Sequence, residues 1–519
     1  MRSKAVSSIM ESVTRLSILL VLSIAVFFAA GVPILDEESY LAITRNFDIL
    51  RPYHWWRPWP PWYGGSEPDA FVYAHPPLFL SWVAAIQSIA EGVRPVRLLA
   101  SLPPAALLGW SAAQLINGVG HRPKLILAVW LSSPIVVLAL QRGLMPDLMV
   151  AALTTTSVAG WHRRSERHMA IIGGLALGLA AFTKYPALAM VVVFLLHGWR
   201  VGAGPGAKWF WLAAALPWLI GEGWLAYVYG RFHLLEVLSR ASEISRGTGE
   251  GRALALLVRL SLGVTVLGFF VRGTRWLWVA GFCTAAMAVL WGWPDDVILS
   301  ARLLVGGFAL VGALPLVFLV WVIFRDWAEP SDRSLMALWA LAVLGTVWGV
   351  HNFSAPRYML AAVLPLALLL VMEFGQRPQA RRLLWVGSTI QLVLSLVLTI
   401  TEHRFFEAGA DLARAAIVHF EPTHFTGEWA FRHEMDGAGI EFFTGTAESG
   451  SIIVAPTHSS PGGLPSGLIE LGRISAEEAF GPRVLNESLQ IGLYAETLGA
   501  LPMGWSDQPI EEVVAWQVP

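Results

Sequence analysis

Five charged side chains stand at the ends of apolar segments, where their chemical types could transfer a group from a lipid phosphate. Asp36 and Glu37 follow the first apolar segment, Asp147 begins another, Lys184 closes a glycine-rich one and Arg357 precedes a late one. A fixed cation stabilises a phosphate leaving group, and a carboxylate can accept the proton of an acceptor hydroxyl. These residue types therefore favour group transfer, provided that the fold brings them together.

Each of these features also has a structural explanation, which the sequence leaves open. Asp36, Glu37 and Asp147 suit the first turn of a helix, where the dipole favours an anion by about 0.3–1 kcal/mol. Arg142, just before Asp147, suits a side chain that reaches from a span to the membrane surface. Lys184 ends its span on the outside in the topology derived below, against the usual charge bias, and this favours an anionic ligand.

The composition places these residues in a membrane protein. Of 519 residues, 55% are hydrophobic and 14% are charged, and the mean hydropathy is +0.58, whereas a typical soluble domain is about 25% charged. The 25 Trp residues suit membrane interfaces. These values exclude a disordered protein, a nucleic-acid binder with a basic face and a disulfide scaffold, because the single cysteine, Cys283, lies in an apolar run.

Apolar segments recur as far as residue 400 and predict a polytopic α-helical membrane protein with about thirteen spans. Gly174 and Gly178, in the fifth span, form a small-residue face for close helix packing. The predicted spans are Leu16–Leu35, Leu98–Asn117, Leu125–Leu140, Leu148–Trp161, Met169–Phe182, Ala187–Trp199, Trp209–Tyr229, Ala253–Phe270, Trp276–Trp293, Leu303–Phe324, Leu335–Val350, Tyr358–Phe374 and Leu383–Ile400.

Loop charge predicts the orientation. With thirteen spans and the N-terminus inside, the seven cytoplasmic segments carry 17 Lys and Arg residues, as the positive-inside rule requires. The segment Leu78–Ala90 is too short to cross a bilayer and is predicted to lie in the interface, as is an amphipathic helix formed by Tyr40, Ile43, Phe47 and Leu50. Both belong to a first external loop, residues 36–97.

The remaining chain predicts a second domain. Residues 1–401 form the transmembrane domain, and residues 402–519 contain no span and predict a small extracytoplasmic α/β domain. One helix stripe runs from Phe406 to Phe420, and strands are expected near Ile440–Phe443, Ile452–Ala455 and Val513–Val518. This domain has 17 acidic and 5 basic residues, so we expect it to stand off an anionic membrane surface.

The order and spacing of the motifs resemble the polyprenyl-phosphate-sugar-dependent glycosyltransferases of the C superfamily. This group includes the protein O-mannosyltransferases and the lipid A aminoarabinose transferases. The resemblance covers residues 10 to 400 and is carried by Asp36-Glu37 after the first span, His75-Pro76-Pro77-Leu78, Arg142 with Pro146-Asp147, Phe182-Thr183-Lys184, and Arg357-Tyr358 before a late span.

The resemblance implies a role for each matching residue. Asp36 is implied as the essential carboxylate, the base or acceptor-orienting group, with Glu37 beside it. Asp147 is implied as the second acid of the site. Lys184 and Arg357 are implied to hold the phosphate of the lipid, with Arg142 assisting. His75 and Tyr358 are implied to line the cavity.

The implied reaction is transfer of one sugar from a polyprenyl phosphate, with inversion, to a lipid, glycan or protein acceptor. The implied location is the plasma membrane of a prokaryote, with the site and the C-terminal domain outside. Membrane lipids are the expected surroundings, and no nucleic acid is expected. Some members of the family use a divalent metal and others do not; Asp36, Glu37 and Asp147 could bind one, although no ligand spacing in this chain predicts it.

This chain departs from the family, and two other functions stay open. No repeated β-trefoil module follows the spans, so the acceptor is not indicated. A transporter or flippase of a lipid-linked sugar would share the cavity and the cations, but it should place ionisable groups near the bilayer midplane, where Glu222 and Arg259 are the deepest here. A sensor or assembly subunit would instead depend on residues 402–519 and not on Asp36.

Overall fold

The computed structural model describes most of the chain. The described residues are 2–29, 31–45, 47–53, 75–119, 122–240, 249–265, 267–270, 275–290, 299–351, 354–460, 462–476 and 480–519. The end of one predicted span, residues 291–293, lies outside these ranges.

Helices dominate the chain up to residue 420, as the hydropathy pattern predicts. They are α1 (Arg2–Phe27), α2 (Glu37–Arg45), α3 (Leu78–Gln87), α4 (Val93–Val119), α5 (Pro123–Leu131), α6 (Pro134–Gln141), α7 (Pro146–His162), α8 (Arg167–Ala181), α9 (Ala189–Val201), α10 (Ala207–Tyr229), α11 (His233–Arg240), α12 (Gly249–Leu260), α13 (Arg275–Leu290), α14 (Leu299–Arg325), α15 (Asp332–Gly349), α16 (Leu360–Phe374) and α17 (Pro378–Phe420).

The apolar helices make this a polytopic membrane protein. By length and composition, four of the described helical segments can cross a membrane: Val93–Val119, Leu299–Arg325, Pro356–Phe374 and Pro378–Phe420. The pair α5 and α6 makes a fifth if it counts as one span bent by 66°. Pro134 begins α6 at this bend, because proline fits the first turn of a helix but not its interior.

Two predicted helices end earlier than expected. The span Ala253–Phe270 is not one helix, because α12 ends at Leu260 and the amide of Gly263 turns back to the carbonyl of Leu260 at 2.8 Å. The helix predicted from Tyr40 to Leu50 ends at Arg45. Beyond it, the Asp48 carboxylate accepts the amide of Leu50 at 2.8 Å, a local bond that competes with helix formation.

Small residues pack α8 against α10, as their spacing predicts. A Cβ on Gly174 would overlap the carbonyl oxygen of Phe210, and one on Gly178 would overlap that of Ala214. The two contacts are offset by the same number of residues, so the helices run parallel. Lys184, just beyond the end of α8, therefore lies at the opposite end of this helix pair from Lys208.

Filling this close contact should destabilise the bundle. We expect Gly174→Val to lower stability by about 1–3 kcal/mol, because overpacking forces backbone shifts, and a thermal unfolding scan in detergent measures the loss. Gly223→Ala is the matched control, since its Cβ would meet nothing within 4 Å, and alanine improves a helix by about 1 kcal/mol. An unchanged melting temperature for Gly174→Val would contradict this packing.

The C-terminal region folds around a small sheet, as predicted. Its elements are β1 (His424–Phe425), α18 (Trp429–Gly437), β2 (Glu441–Phe442), β3 (Ile452–Pro456), β4 (Ile469–Ser475), β5 (Gly481–Arg483), β6 (Leu485–Asn486), β7 (Ile491–Gly492), β8 (Gly504–Ser506) and β9 (Glu512–Gln517). The main sheet has the order β2-β1-β3-β9-β4. The three strands expected from the sequence correspond to β2, β3 and β9.

The C-terminal region is not set apart from the helices. The helix α17 has 43 residues and crosses the predicted boundary at 401 without a break. Further along, Ile491 and Leu501 pack against Val258 of α12 and its neighbours, and buried Arg259 donates to the carbonyls of Gly492 and Gly499 at 2.9 and 3.0 Å. This segment therefore packs on the helices, while the expectation that the acidic region stands off an anionic membrane surface stays a prediction.

Candidate functional site

Four of the predicted residues come from four separate parts of the chain, each at the start or end of a helix. Asp36 directly precedes α2, and Asp147 lies in the first turn of α7. Lys184 precedes a 3-10 turn at Tyr185–Leu188, and Arg357 lies in another that leads into α16. Proline occupies the first turn of each of the last three elements, so these helix starts are readable in the sequence.

The structure brings these four side chains into one chain of alternating charge. Arg357 Nη2 lies 3.1 Å from Asp36 Oδ2, and Arg357 Nε lies 3.7 Å from Asp147 Oδ2. Lys184 Nζ lies 2.8 Å from Asp147 Oδ1. Two carboxylates therefore alternate with two cations, and Arg357 bridges the carboxylates.

Burial separates the two carboxylates. The Asp147 side chain is 8% exposed, whereas that of Asp36 is 36% exposed. Asp147 is neutralised by two cations, but Asp36 contacts only Arg357 among the ion pairs of the described residues. Asp36 is therefore the more accessible of the two carboxylates.

Aromatic rings pack against the two cations. Lys184 Nζ lies 4.2 Å from the ring centre of Tyr358, and Arg357 Nη2 is 3.3 Å from its hydroxyl. The His351 ring stacks on the Tyr358 ring, with ring centres 4.0 Å apart. Burial and the nearby Lys184 ammonium hold the pKa of His351 well below its usual range, so the imidazole is neutral and adds no further positive charge.

Three members of the charged chain, Asp147, Lys184 and Arg357, line a partly open cavity. Its polar end is formed by Asp147, Lys184, His351, Arg357 and Tyr358. Its remaining wall is mostly apolar and comes from α7, α9, α15, α16 and the turn after Lys184: Val150, Ala151, Thr154, Pro186, Ala187, Ala189, Met190, Val343, Thr346, Leu360 and Ala361. An amphiphile with an anionic group beside an apolar chain matches this division.

Four of the predicted site residues do not line this cavity: Glu37, Arg142, His75 and Asp36, although the partner of Asp36, Arg357, does line it. Glu37 is fully buried and pairs with Arg97. Arg142 is also buried and pairs with Glu402 of α17. Neither partner was identified from the sequence, because a pairing across 60 or 260 residues leaves no local pattern.

His75 lies next to the site rather than in the cavity wall. Its ring stacks on Tyr40 of α2 at 6.5 Å, and its backbone carbonyl accepts the hydroxyl of Tyr53 at 3.0 Å. These contacts connect the start of α3 to α2, and so to the segment that carries Asp36. Residues 54–74, which precede His75, lie outside the described ranges.

A second polar cluster lies beside Lys184 and was not predicted from the sequence. The hydroxyl of Tyr185 donates to Glu222 of α10 and lies 2.6 Å from His233 Nδ1. The amide of Leu234 donates to the same carboxylate at 3.3 Å. The deep acidic residue of α10 is thus bound by neighbouring protein groups.

No metal centre is evident among the residues that the structure describes. Within those ranges, no group of three or more His, Cys, Asp or Glu side chains is close enough to hold a metal ion. The two carboxylates nearest the cavity are bridged by Arg357 instead. The cations present in this site are protein side chains.

The chain is similar to solved structures of two membrane proteins. ArnT from Cupriavidus metallidurans bound to undecaprenyl phosphate matches at 15% identity over 86% of this chain and 92% of ArnT, with a TM-score of 0.40. The Archaeoglobus fulgidus oligosaccharyltransferase in the apo form matches at 12% identity over 83% of this chain and 64% of its own length, with a TM-score of 0.45.

The archaeal protein, AglB, is also solved in complex with an inhibitory peptide and a dolichol-phosphate. No protein-family model and no curated protein matches the chain. Because the identities reach only 15% and the TM-scores stay below 0.5, the function proposed below rests on this chain's own residues. ArnT, a lipid A aminoarabinose transferase, and AglB both belong to the glycosyltransferase C superfamily, the group that the sequence motifs resemble.

Proposed function

We propose that the protein is an integral-membrane glycosyltransferase that moves a single hexose or pentose from a polyprenyl phosphate to a lipid, glycan or protein acceptor. The observation that carries the proposal is the alternating chain Asp36–Arg357–Asp147–Lys184, whose last three members lie at the polar end of a largely apolar cavity. The proposal includes thirteen spans in a prokaryotic plasma membrane, with the site and the C-terminal region outside. Loop charge supports this orientation.

In the proposed reaction, the acceptor oxygen attacks the anomeric carbon of the sugar. A new carbon–oxygen bond forms on one face, and the bond from this carbon to the phosphate oxygen breaks on the opposite face, so the configuration inverts. The electron pair stays on the released polyprenyl phosphate, and the hydroxyl proton of the acceptor passes to Asp36. For a phosphate acceptor, which is already anionic, this proton transfer is not needed.

The protein groups divide the work. Lys184 and Arg357 hold the phosphate and stabilise the charge that develops on it as the sugar leaves. Asp147 fixes both cations through its buried carboxylate. Asp36, the more exposed acid, receives the proton, and the apolar wall accommodates the first part of the polyprenyl chain. Tyr358 and His351 hold the cations in place by packing.

Solved structures with bound lipid phosphates accord with this assignment of donor type. ArnT was solved with undecaprenyl phosphate and AglB with a dolichol-phosphate. The proposal for this chain includes a polyprenyl-phosphate donor, a membrane location and an acceptor of the lipid, glycan or protein kind.

The proposal is tested with purified protein and a panel of radiolabelled undecaprenyl-phosphate hexoses and pentoses. We expect one donor to lose its sugar to water or to an added acceptor, with release of undecaprenyl phosphate. A transporter would instead move the intact donor across a vesicle membrane without breaking the sugar–phosphate bond. Absence of turnover with every donor, together with such movement, would overturn the proposal.

A further inference from the structure

Four buried charged side chains lie near the segments that carry Asp36 and Asp147. They form two ion pairs, Arg97 with Glu37 and Arg142 with Glu402, and none of the four side chains is more than 2% exposed. Both pairs are bidentate, since the Nε atom of each arginine binds the second carboxylate oxygen at 3.2 Å. Such pairs fix geometry as well as charge. We call them the charge quartet.

Glu37 connects the two segments that carry the aspartates. Its Oε2 accepts the amide of Ile34 at 2.8 Å, two residues before Asp36. Its Oε1 accepts the amide of Leu144 at 3.0 Å, three residues before Asp147. The Glu37 carboxylate therefore fixes the backbone just before Asp36 and just before Asp147, and Arg97 neutralises the charge of this carboxylate.

The second pair, Arg142 with Glu402, connects the loop between α6 and α7 to the C-terminal region. Arg142 begins the loop 142–145, which leads into α7, and Glu402 belongs to the part of α17 that leads out of the predicted membrane domain. The ring of Tyr494, 3% exposed, lies 5.3 Å from the Arg142 guanidinium. Tyr494 packs in turn on Phe406 and Trp429 at 5.9 and 5.8 Å.

We propose that the charge quartet and Tyr494 position Asp36 and Asp147, so Glu402 and Tyr494 of the C-terminal region are positioning residues for the site. This inference rests on the proposed function and adds positioning residues to it. No member of the quartet is among the residues that line the cavity, so it would act on the reaction through the segments that it holds. A displacement of about 1 Å at a reacting group can cost roughly 100-fold in rate.

The test uses the full-length protein and the donor that gives turnover. In Glu402→Gln we expect kcat to fall about 10- to 100-fold, with the donor KM unchanged, because Lys184 and Arg357 keep their places. Arg142→Lys should not restore the rate, because an ammonium cannot make the bidentate pair. Tyr494→Leu, which keeps both ion pairs, should lower kcat less and serves if Glu402→Gln fails to fold.

Glu511→Gln is the matched control. Glu511 is also a fully buried carboxylate of the C-terminal region, and it accepts the amides of Thr457 and His458 at 3.0 and 2.9 Å. Its loss should alter the sheet but leave kcat unchanged. If Glu511→Gln lowered kcat as much as Glu402→Gln, the effect would be general destabilisation and the inference would be wrong.

Hydrogen–deuterium exchange gives a readout that needs no substrate. In Glu402→Gln and Tyr494→Leu, the peptide that contains the amide of Leu144 should exchange faster than in the wild type, whereas in Glu511→Gln it should not. Wild-type exchange and kcat in both variants would overturn the inference while leaving the proposed function intact. An inactive wild-type protein would defeat the proposed function, and the exchange result would still decide whether the quartet holds the loop.

Discussion

Asp36→Asn is expected to lower kcat for sugar transfer to a hydroxyl acceptor by about 10²- to 10⁴-fold, the range for loss of a general base. The fold should survive, because the side chain is 36% exposed and the other members of the charged chain keep their buried partners. The donor KM should change little, since asparagine can still accept a hydrogen bond from Arg357. Steady-state kinetics with the radiolabelled donor measure both values.

Asp48→Asn is the matched control for this result. Asp48 follows α2, and its carboxylate accepts the amide of Leu50, so turnover should match the wild type. Equal kcat for Asp36→Asn and the wild type with a hydroxyl acceptor would remove Asp36 from the site. Full activity of the variant with a phosphate acceptor only would instead identify the acceptor as an anion.

Lys184→Ala should weaken binding of the donor. The ammonium lies 2.8 Å from Asp147 and is 5% exposed, so its charge is little screened by solvent at the polar end of the cavity. A hydrogen bond to a charged group contributes about 1.5–3 kcal/mol, and its loss predicts a rise of roughly 10- to 150-fold in the Kd for undecaprenyl phosphate. Titration of the purified protein with this lipid measures it directly.

Lys208→Ala provides the comparison. Lys208 lies beside the ring of Trp209 at the other end of the α8–α10 pair, so its removal should leave the affinity for undecaprenyl phosphate unchanged. If both lysine variants lost affinity equally, the effect would reflect the net charge of the protein rather than a site. If Lys184→Ala bound as the wild type does, Lys184 would not contact the phosphate.

The residues that come together in the site could be predicted from the sequence because each stands beside a readable helix start. Proline fixes the beginning of the elements that carry Asp147, Lys184 and Arg357, and loop charge predicts a common membrane face for all of them. Their mutual contacts follow from the tertiary structure. The residue types alone do not rank Asp36 above Glu37, which only the family resemblance does; the structure adds that the two side chains differ in burial.

The buried partners were beyond prediction for a physical reason. Glu37 and Arg142 look like site residues because each stands beside a carboxylate or cation of the motif, but the charge of each is neutralised by a distant residue. Hydropathy identifies which segments enter the membrane, yet it does not reveal which charged groups meet inside. No sequence signal marks the early end of α12 at Leu260 either, because Leu262 and Gly263 lie in one continuous apolar run.

The continuity of α17 also constrains how this protein can be rebuilt. Its 43 residues form a rod of about 65 Å, at 1.5 Å per residue. One residue inserted before Glu402 would turn everything after it by about 100° and point that carboxylate away from Arg142. A chimera that exchanges the C-terminal region must therefore preserve helical phase as well as sequence, because a junction at residue 401 falls inside one continuous helix.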